Sequence, residues 1–336
     1  MNLNKTSLWR AGWLLVFVLV MLGCFVASIL FGTTRYDLAT AWASIFHYDE
    51  TVNEQIILRT TRLPRACIAS AVGASLAIAG ALMQTLTRNP LASPSVLGVN
   101  AGASFFVVLA AVTFSVSSLQ VLMWIAFIGA AVGAVTVYML GSIGRDGLTP
   151  LKIVLAGSAM TALFASFTQA VLVLNQQGIG TVLFWLTGTV AGRSPDFLIT
   201  VLPYLAIAWV GAWLLSKDMN LLQMGEEAAK GLGQKTVFIK SIAGIFIVVL
   251  AGCSVSVAGP IGFIGIVIPH MSRFFGGLDH RWAIPYCGVL GAILLMVADI
   301  GARFIAIPEE MPVGVMTAVI GVPFFIYIAR KGLAKS

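Results

Sequence analysis

The residues of this 336-residue chain that could do chemistry are few, and their types suit recognition better than bond making. The densest set is the run MGEEAAKGLG, made of Met224, Gly225, Glu226, Glu227, Ala228, Ala229, Lys230, Gly231, Leu232 and Gly233. Its spacing predicts a short helix. Glu226 and Glu227 fall in the first turn and Lys230 in the last, the order the macrodipole favours, and Glu226 and Lys230 stand i, i+4 apart. Gly231 and Gly233 supply C-terminal stops. Such a helix is either a solvated turn or a docking element, whose small Ala228 and Ala229 let another backbone come close. His47, His270 and His280 are scattered and make no metal site. His47 and His280 read as loop residues, and His270 as a helix-end residue with Arg273 one turn on. Cys24, Cys67, Cys253 and Cys287 lie in apolar runs without a CxxC and read as packing residues. The phosphate loop GxxxxGK[ST] is missing and the dipeptide Gly-Lys never occurs, so no catalytic set and no cofactor are implied.

The elements that must position these residues follow from composition. Hydrophobic residues make up 59% of the chain and charged ones 10%, with a mean hydropathy of +0.98, whereas a soluble domain carries about a quarter charged residues. The chain is therefore read as an all-α, polytopic membrane protein. Its net charge of +7 does not signal nucleic acid, because the basic residues are scattered among apolar segments and form no stripe with aromatics. Thirty-four glycines suit helices that pack in lipid through small residues, and small-xxx-small pairs occur at Gly98/Gly102, Gly129/Gly133 and Gly188/Gly192.

A span needs roughly 20 apolar residues. Charge-free intervals predict about ten, at 11–34, 64–87, 91–114, 119–142, 152–174, 196–216, 238–258, 261–275, 282–305 and 311–330, with 217–240 as a cytoplasmic loop. Lys5 and Arg10 precede the first, which is too long for a signal-peptide core and lacks a cleavage site, so it is expected to stay attached. The interval from Ile153 to Gly192, broken by the polar run Asn175 to Gly180, could hold one span or two. The basic residues decide for one: both termini are then cytoplasmic, and 14 of the 20 Lys and Arg lie inside, all the lysines among them.

On that topology the outer face carries only arginines, namely Arg35, Arg59, Arg62, Arg65, Arg193 and Arg303, whose planar forks fit a carboxylate-bearing partner. Arg35 and Arg193 read rather as helix-end anchors. Arg62 and Arg65 flank Pro64, a predicted helix start, and stand three apart, so both can enter one patch. Asp299 lies four residues before Arg303, an i, i+4 pair near the outer surface. No charged residue need sit at mid-membrane, which argues against an ion-coupled carrier, since such carriers keep ionisable groups within their spans. Gln84, Asn100 and Gln169 are uncharged polar residues at depth, suited to hydrogen bonds between helices or to lining a pore.

Five stretches, in order, carry a resemblance that covers the chain from about Arg62 to Lys331. They are RLPR at Arg62 to Arg65, GASLAIAGALMQTLTRNPLASPSVLGVNAGA at Gly73 to Ala103, the MGEEAAKGLG run, GPIGFIGIVIPHMSR at Gly259 to Arg273, and EEMPVGVMTAVIGVPFF at Glu309 to Phe325. On these the chain resembles the permease family of binding-protein-dependent importers for iron-siderophores, haem and vitamin B12. A departure is WLTGT at Trp185 to Thr189, where many relatives end in Ser. The resemblance implies ten helices arranged as in the vitamin B12 importer permease, in a prokaryotic cytoplasmic membrane. It also implies a second permease subunit, a copy or a paralogue, with two ATP-binding subunits and an external substrate-binding protein. By the same resemblance Met224 to Gly233 seats on the ATP-binding subunit, and Arg62, Arg65 and Arg303 grip glutamates of the binding protein. Asn89 and Leu91 form the cytoplasmic gate with a turn that aligns, poorly, on Thr149 and Pro150. The expected function is ATP-driven import of a ferric siderophore or a related chelate such as haem or cobalamin, with hydrolysis on a separate chain. The rivals are an ion-coupled secondary transporter working alone and a non-transporting membrane scaffold.

Overall fold

In hydrocarbon a backbone must satisfy its own polar groups, and all regular structure among the described residues is helical. The computed structural model describes residues 7–32, 34–143, 149–174, 185–306 and 309–333. Lys5 and the polar run Asn175 to Gly180 lie outside them. In chain order the helices are α1 (Ser7–Leu30), α2 (Leu38–Phe46), α3 (Asn53–Ile57), α4 (Leu63–Thr87), α5 (Val99–Val108), α6 (Leu119–Ser142), α7 (Pro150–Leu174) and α8 (Pro195–Leu214). They continue with α9 (Ser216–Met224), α10 (Glu226–Gly231), α11 (Thr236–Ala258), α12 (Ile264–Gly276), α13 (His280–Ile305) and α14 (Val313–Leu333). Among the described residues seven are long and apolar enough to cross a bilayer: α1, the continuous rod Asn53–Thr87, α6, α7, α8, α11 and α13. The shorter helices Val99–Thr113 and α12, and α14 with its apolar stretch Val313–Ile326, complete the bundle.

Local chemistry explains where these elements depart from the charge-free intervals. Pro64 stands in the first turn of α4, as its residue type predicts, but the helix is not free there, because it continues from α3. Pro64 lacks the N–H that would bond the Thr60 carbonyl, and the rod passes it through a π turn at Leu58–Arg62, with Leu63 N reaching back to Leu58 O. The interval 91–114 yields helix only from Val99, because Pro90 and Pro94 admit no more than a 3-10 turn at Pro94–Leu97 and Gly98 then sits in the left-handed region at φ 71°. The segment 217–240 is largely helical, formed by α9, α10 and the first turn of α11. His280 is not a loop residue: it opens α13, buried, behind the N-cap Asp279.

The core forms around α4, which packs against α13, α11, α12, α8 and α1 and is buried on nearly every side, the signature of a central helix. Small residues allow the approach. A Cβ on Gly73 would overlap the Gly291 carbonyl of α13, and one on Gly80 would overlap the Gly265 carbonyl of α12. The pairs Gly98/Gly102 and Gly129/Gly133 meet each other where α5 crosses α6: Gly102 faces the Gly129 carbonyl and Gly133 the Gly98 carbonyl. Gly188 and Gly192 are different. Both have positive φ, at 73° and 68°, and shape an irregular turn instead of a helix crossing.

Candidate functional site

The charged run forms the short helix its spacing predicts. In α10 Glu226 lies i, i+4 from Lys230 at 3.1 Å, and Gly233 follows in the left-handed region at φ 82°. Its stronger partner is Lys240, 2.6 Å away on α11, with Thr236 Oγ1 at 3.5 Å. Lys240, helped by Lys230, holds the Glu226 carboxyl below its ordinary value of 4.5, although partial burial opposes the shift. Glu226 is thus the pin that ties α10 to the next span. Ala229 is buried beneath the helix, whereas Glu227, Ala228, Lys230 and Gly231 face outward. Met224 and Leu232, 71% and 65% exposed, flank this face, and Val237 and Phe238 extend it. Four exposed apolar side chains beside charges that belong in water form a surface that association would cover.

Behind α10 runs a polar network that no motif signalled. The Gln234 amide donates to Asp218 O at 3.0 Å and to its carboxylate at 3.2 Å, joining α9 to the start of α11. Asn220 of α9 donates to Asp279 at 2.7 Å, and its carbonyl oxygen accepts from His280 N at 2.9 Å and meets Nδ1 at 2.7 Å. His280 Nε2 meets Thr85 Oγ1 of α4 at 2.7 Å. The segment formed by α9 and α10 is therefore stitched to the first turn of α13 and the last turn of α4.

At the opposite end the sequence places Arg62, Arg65 and Arg303 on an exposed patch, and the structure places them behind the surface. Arg62 and Arg65 are each 6% exposed and Arg303 is fully buried. The cause is Asp299, a carboxylate that the bundle also buries. Arg65 donates to it from Nε at 3.0 Å and from Nη2 at 2.8 Å, and Arg303 from Nη2 at 2.5 Å. Arg65 Nη1 also pairs with Glu310 at 2.5 Å. The remaining donors close the end of α1: Arg303 reaches Ser28 O at 2.6 Å and Phe31 O at 2.8 Å, and Arg62 reaches Phe31 O at 3.1 Å. Two cations on the orphan carbonyls of a helix C-terminus complement its dipole. These arginines answer internal acceptors, and the i, i+4 spacing of Asp299 and Arg303 was the visible half of the cluster. Arg35 and Arg59 are exposed at this end, Arg59 over the Tyr48 ring at 4.2 Å.

The uncharged polar residues divide. Gln84 bonds helix to helix: its amide donates to Gly265 O at 3.2 Å, and its oxygen accepts from the Arg273 guanidinium of α12. Asn100 donates to Ser95 Oγ at 3.1 Å. Asn89 accepts from Leu91 N at 2.9 Å in an exposed turn, and Thr149 accepts from Lys152 N at 3.4 Å at the start of α7. Gln169 is exposed on α7, and Ser158, Thr161, Ala162, Ala165 and Ser166 share its side of the helix. That small, polar stripe beside exposed Leu163 and Phe167 suits a water-filled path better than lipid.

Residues 18–331 match the model of the FecCD transport family. The chain is 52% identical over 329 residues to the Bacillus subtilis (strain 168) "Probable siderophore transport system permease protein YfiZ", with 98% of each chain covered. It is 46% identical to the Fe(3+)-citrate import system permease protein YfmD of the same organism, covering 90% of this chain and 89% of that one. Among solved structures, an ABC transporter described as metal-chelate type, in an inward-facing conformation, superposes with a TM-score of 0.83 at 28% identity, over 96% of this chain and 99% of that chain.

Proposed function

The chain belongs to the FecCD transport family, and from that premise we propose that it is the membrane-spanning subunit of an ATP-driven importer, taking a ferric siderophore or related bulky chelate from an external binding protein into the cytoplasm. It is a multi-pass permease of the prokaryotic cell membrane, and its relatives YfiZ and YfmD are described for siderophore and Fe(3+)-citrate transport. The observation that carries the reading is α10, pinned from behind through Glu226 while Met224, Glu227 and Leu232 face outward. That face is the seat of an ATP-binding subunit. ATP binding closes two such subunits, moves α10 and α9, and tilts the spans; hydrolysis resets them.

The stripe from Ser158 to Gln169 lines the path, across from a second permease subunit, and the turn around Asn89 and Leu91 with Thr149 gates its cytoplasmic mouth. Docking of the binding protein on Arg62, Arg65 and Arg303 requires Arg65 and Arg303 to exchange Asp299 and Glu310, and Arg62 to exchange the Phe31 and Thr34 carbonyls, for external carboxylates. In the conformation described, the outer cations open to a partner are Arg35 and Arg59. The test is reconstitution in liposomes with the ATPase encoded beside this chain and the binding protein loaded with radioactive iron-siderophore. Uptake that needs all three proteins and ATP is expected. Uphill uptake by this chain alone, driven by an ion gradient, would instead establish the secondary transporter.

A further inference from the structure

Where α4 ends at Thr87, α12 at Gly276 and α13 begins at His280, the bundle encloses a cavity of about 320 Å³. Arg88, Arg273, Thr85 and Ser272 line it, and Gln223 of α9 closes one side. Three helix ends at one level put it at the bilayer surface, on the end of the molecule that bears α9 and α10. We propose that this cavity holds the phosphate of an anionic phospholipid.

The charge balance asks for an anion. Arg273 is half-buried and donates to the neutral carbonyl oxygen of Gln84, which orients the guanidinium without compensating its charge. Arg88 is exposed at the rim, Arg281 follows on the first turn of α13, and the Arg10 guanidinium lies over Gly277. Among the described residues the carboxylates beside these four arginines are already engaged: Asp279 by Asn220 at 2.7 Å and Arg281 N at 3.0 Å, and Glu226, which shares an adjoining hollow with Arg88, by Lys240 at 2.6 Å and Lys230 at 3.1 Å. His280, on the cavity wall, has both ring nitrogens within 2.7 Å of Asn220 and Thr85. Arginine forks and hydroxyls are the donors that phosphate oxygens accept from.

Lipid is favoured over a protein carboxylate by what flanks the site. Trp9 and Trp13 stand on the exposed side of α1, and Trp13 packs on Phe275 of α12 at 5.5 Å. Tryptophans at a helix end mark the headgroup level, and basic pockets between helices at that level take anionic headgroups. The proposal needs only the bundle, so it stands or falls apart from the transport reading.

Native mass spectrometry of the full chain, released from bilayers of equal phosphatidylglycerol and phosphatidylcholine, tests it. One phosphatidylglycerol per chain is expected to be retained in preference to phosphatidylcholine. Arg88→Asn, which suits the left-handed backbone there at φ 50°, and Arg273→Gln should each weaken retention about fivefold. Arg35→Gln with Arg59→Gln, at the other end, should not. If Arg273→Gln fails to fold, the exposed Arg88 still decides the matter. Retention with no headgroup preference, or unaffected by Arg88→Asn, overturns the site. Inorganic phosphate that binds and is not displaced by phosphatidylglycerol would assign it to a free anion.

Discussion

At Asp299 one buried carboxylate accepts from two guanidiniums, which sets what a substitution there does. Asp299→Ala leaves the buried Arg303 without a carboxylate and Arg65 with Glu310 alone, and should cost about 3–5 kcal/mol, read as a lower apparent melting temperature of the purified chain. Glu310→Gln, on a side chain 31% exposed, should cost about 1 kcal/mol or less. Equal melting of the two variants would refute the clasp. The i, i+4 half of it was legible, because four residues on a helix are neighbours in any fold. Arg65 lies 234 positions away, and only the close crossing of α4 on α13 brings it in. Glu226 responds to pH, since its folded value is depressed by Lys240 and Lys230. Its contribution is therefore complete above about pH 4.5 and is lost as the pH falls through the folded value. A spin label at Leu232 should become more mobile below that range, and Glu226→Gln should show the mobile spectrum at neutral pH as well. A spectrum indifferent to both would remove the pin.

Elements were legible where charge, or a polar turn such as Ser115–Ser118, bounds an apolar run, and single prolines such as Pro203 in α8 and Pro285 in α13 do not break them. The interval 119–142 is filled by α6 from Leu119 to Ser142, while Pro90, Pro94 and Gly98 delay α5 and a π turn carries the rod past Pro64. What spacing does not disclose is which glycine faces which. Gly102→Ala should lower the melting temperature, because its new methyl would overlap the Gly129 carbonyl. Gly244→Ala, with nothing within 4 Å, should leave it unchanged or raise it, as alanine favours helix by about 1 kcal/mol. If both fall alike, close packing of α5 on α6 is not what fixes these positions. On α10 the two acids separate by role: Glu227→Lys should weaken co-purification of the ATP-binding subunit with the helix still in place, whereas Glu226→Lys should first release the helix from α11. Intact co-purification of the double variant would count against the docking face.

Across the whole molecule the two candidate surfaces are joined by one rod. Along α13 the 19 residues from His280 to Asp299 rise about 29 Å, from the Asn220, Asp279 and His280 network beside α9 to the Asp299 clasp near the other end. If, as proposed, an ATP-binding subunit moves α9, a helix of that length would carry the displacement to the residues closing the far end of α1. None of this could be read in the sequence, since Asn220 and Asp279 are 59 residues apart in segments that look like separate loops. If the rod couples the ends, Asn220→Ala should spare basal ATP hydrolysis in the reconstituted complex. Its stimulation by loaded binding protein should fall several-fold, and with it the substrate moved per ATP. Restoring the bond with Asn220→Gln should recover part of the ratio, which a merely destabilised α9 would not do. An unchanged ratio of transport to hydrolysis in Asn220→Ala would mean that force crosses the bundle by another route, with α4 and α11 the remaining helices tied to the docking segment.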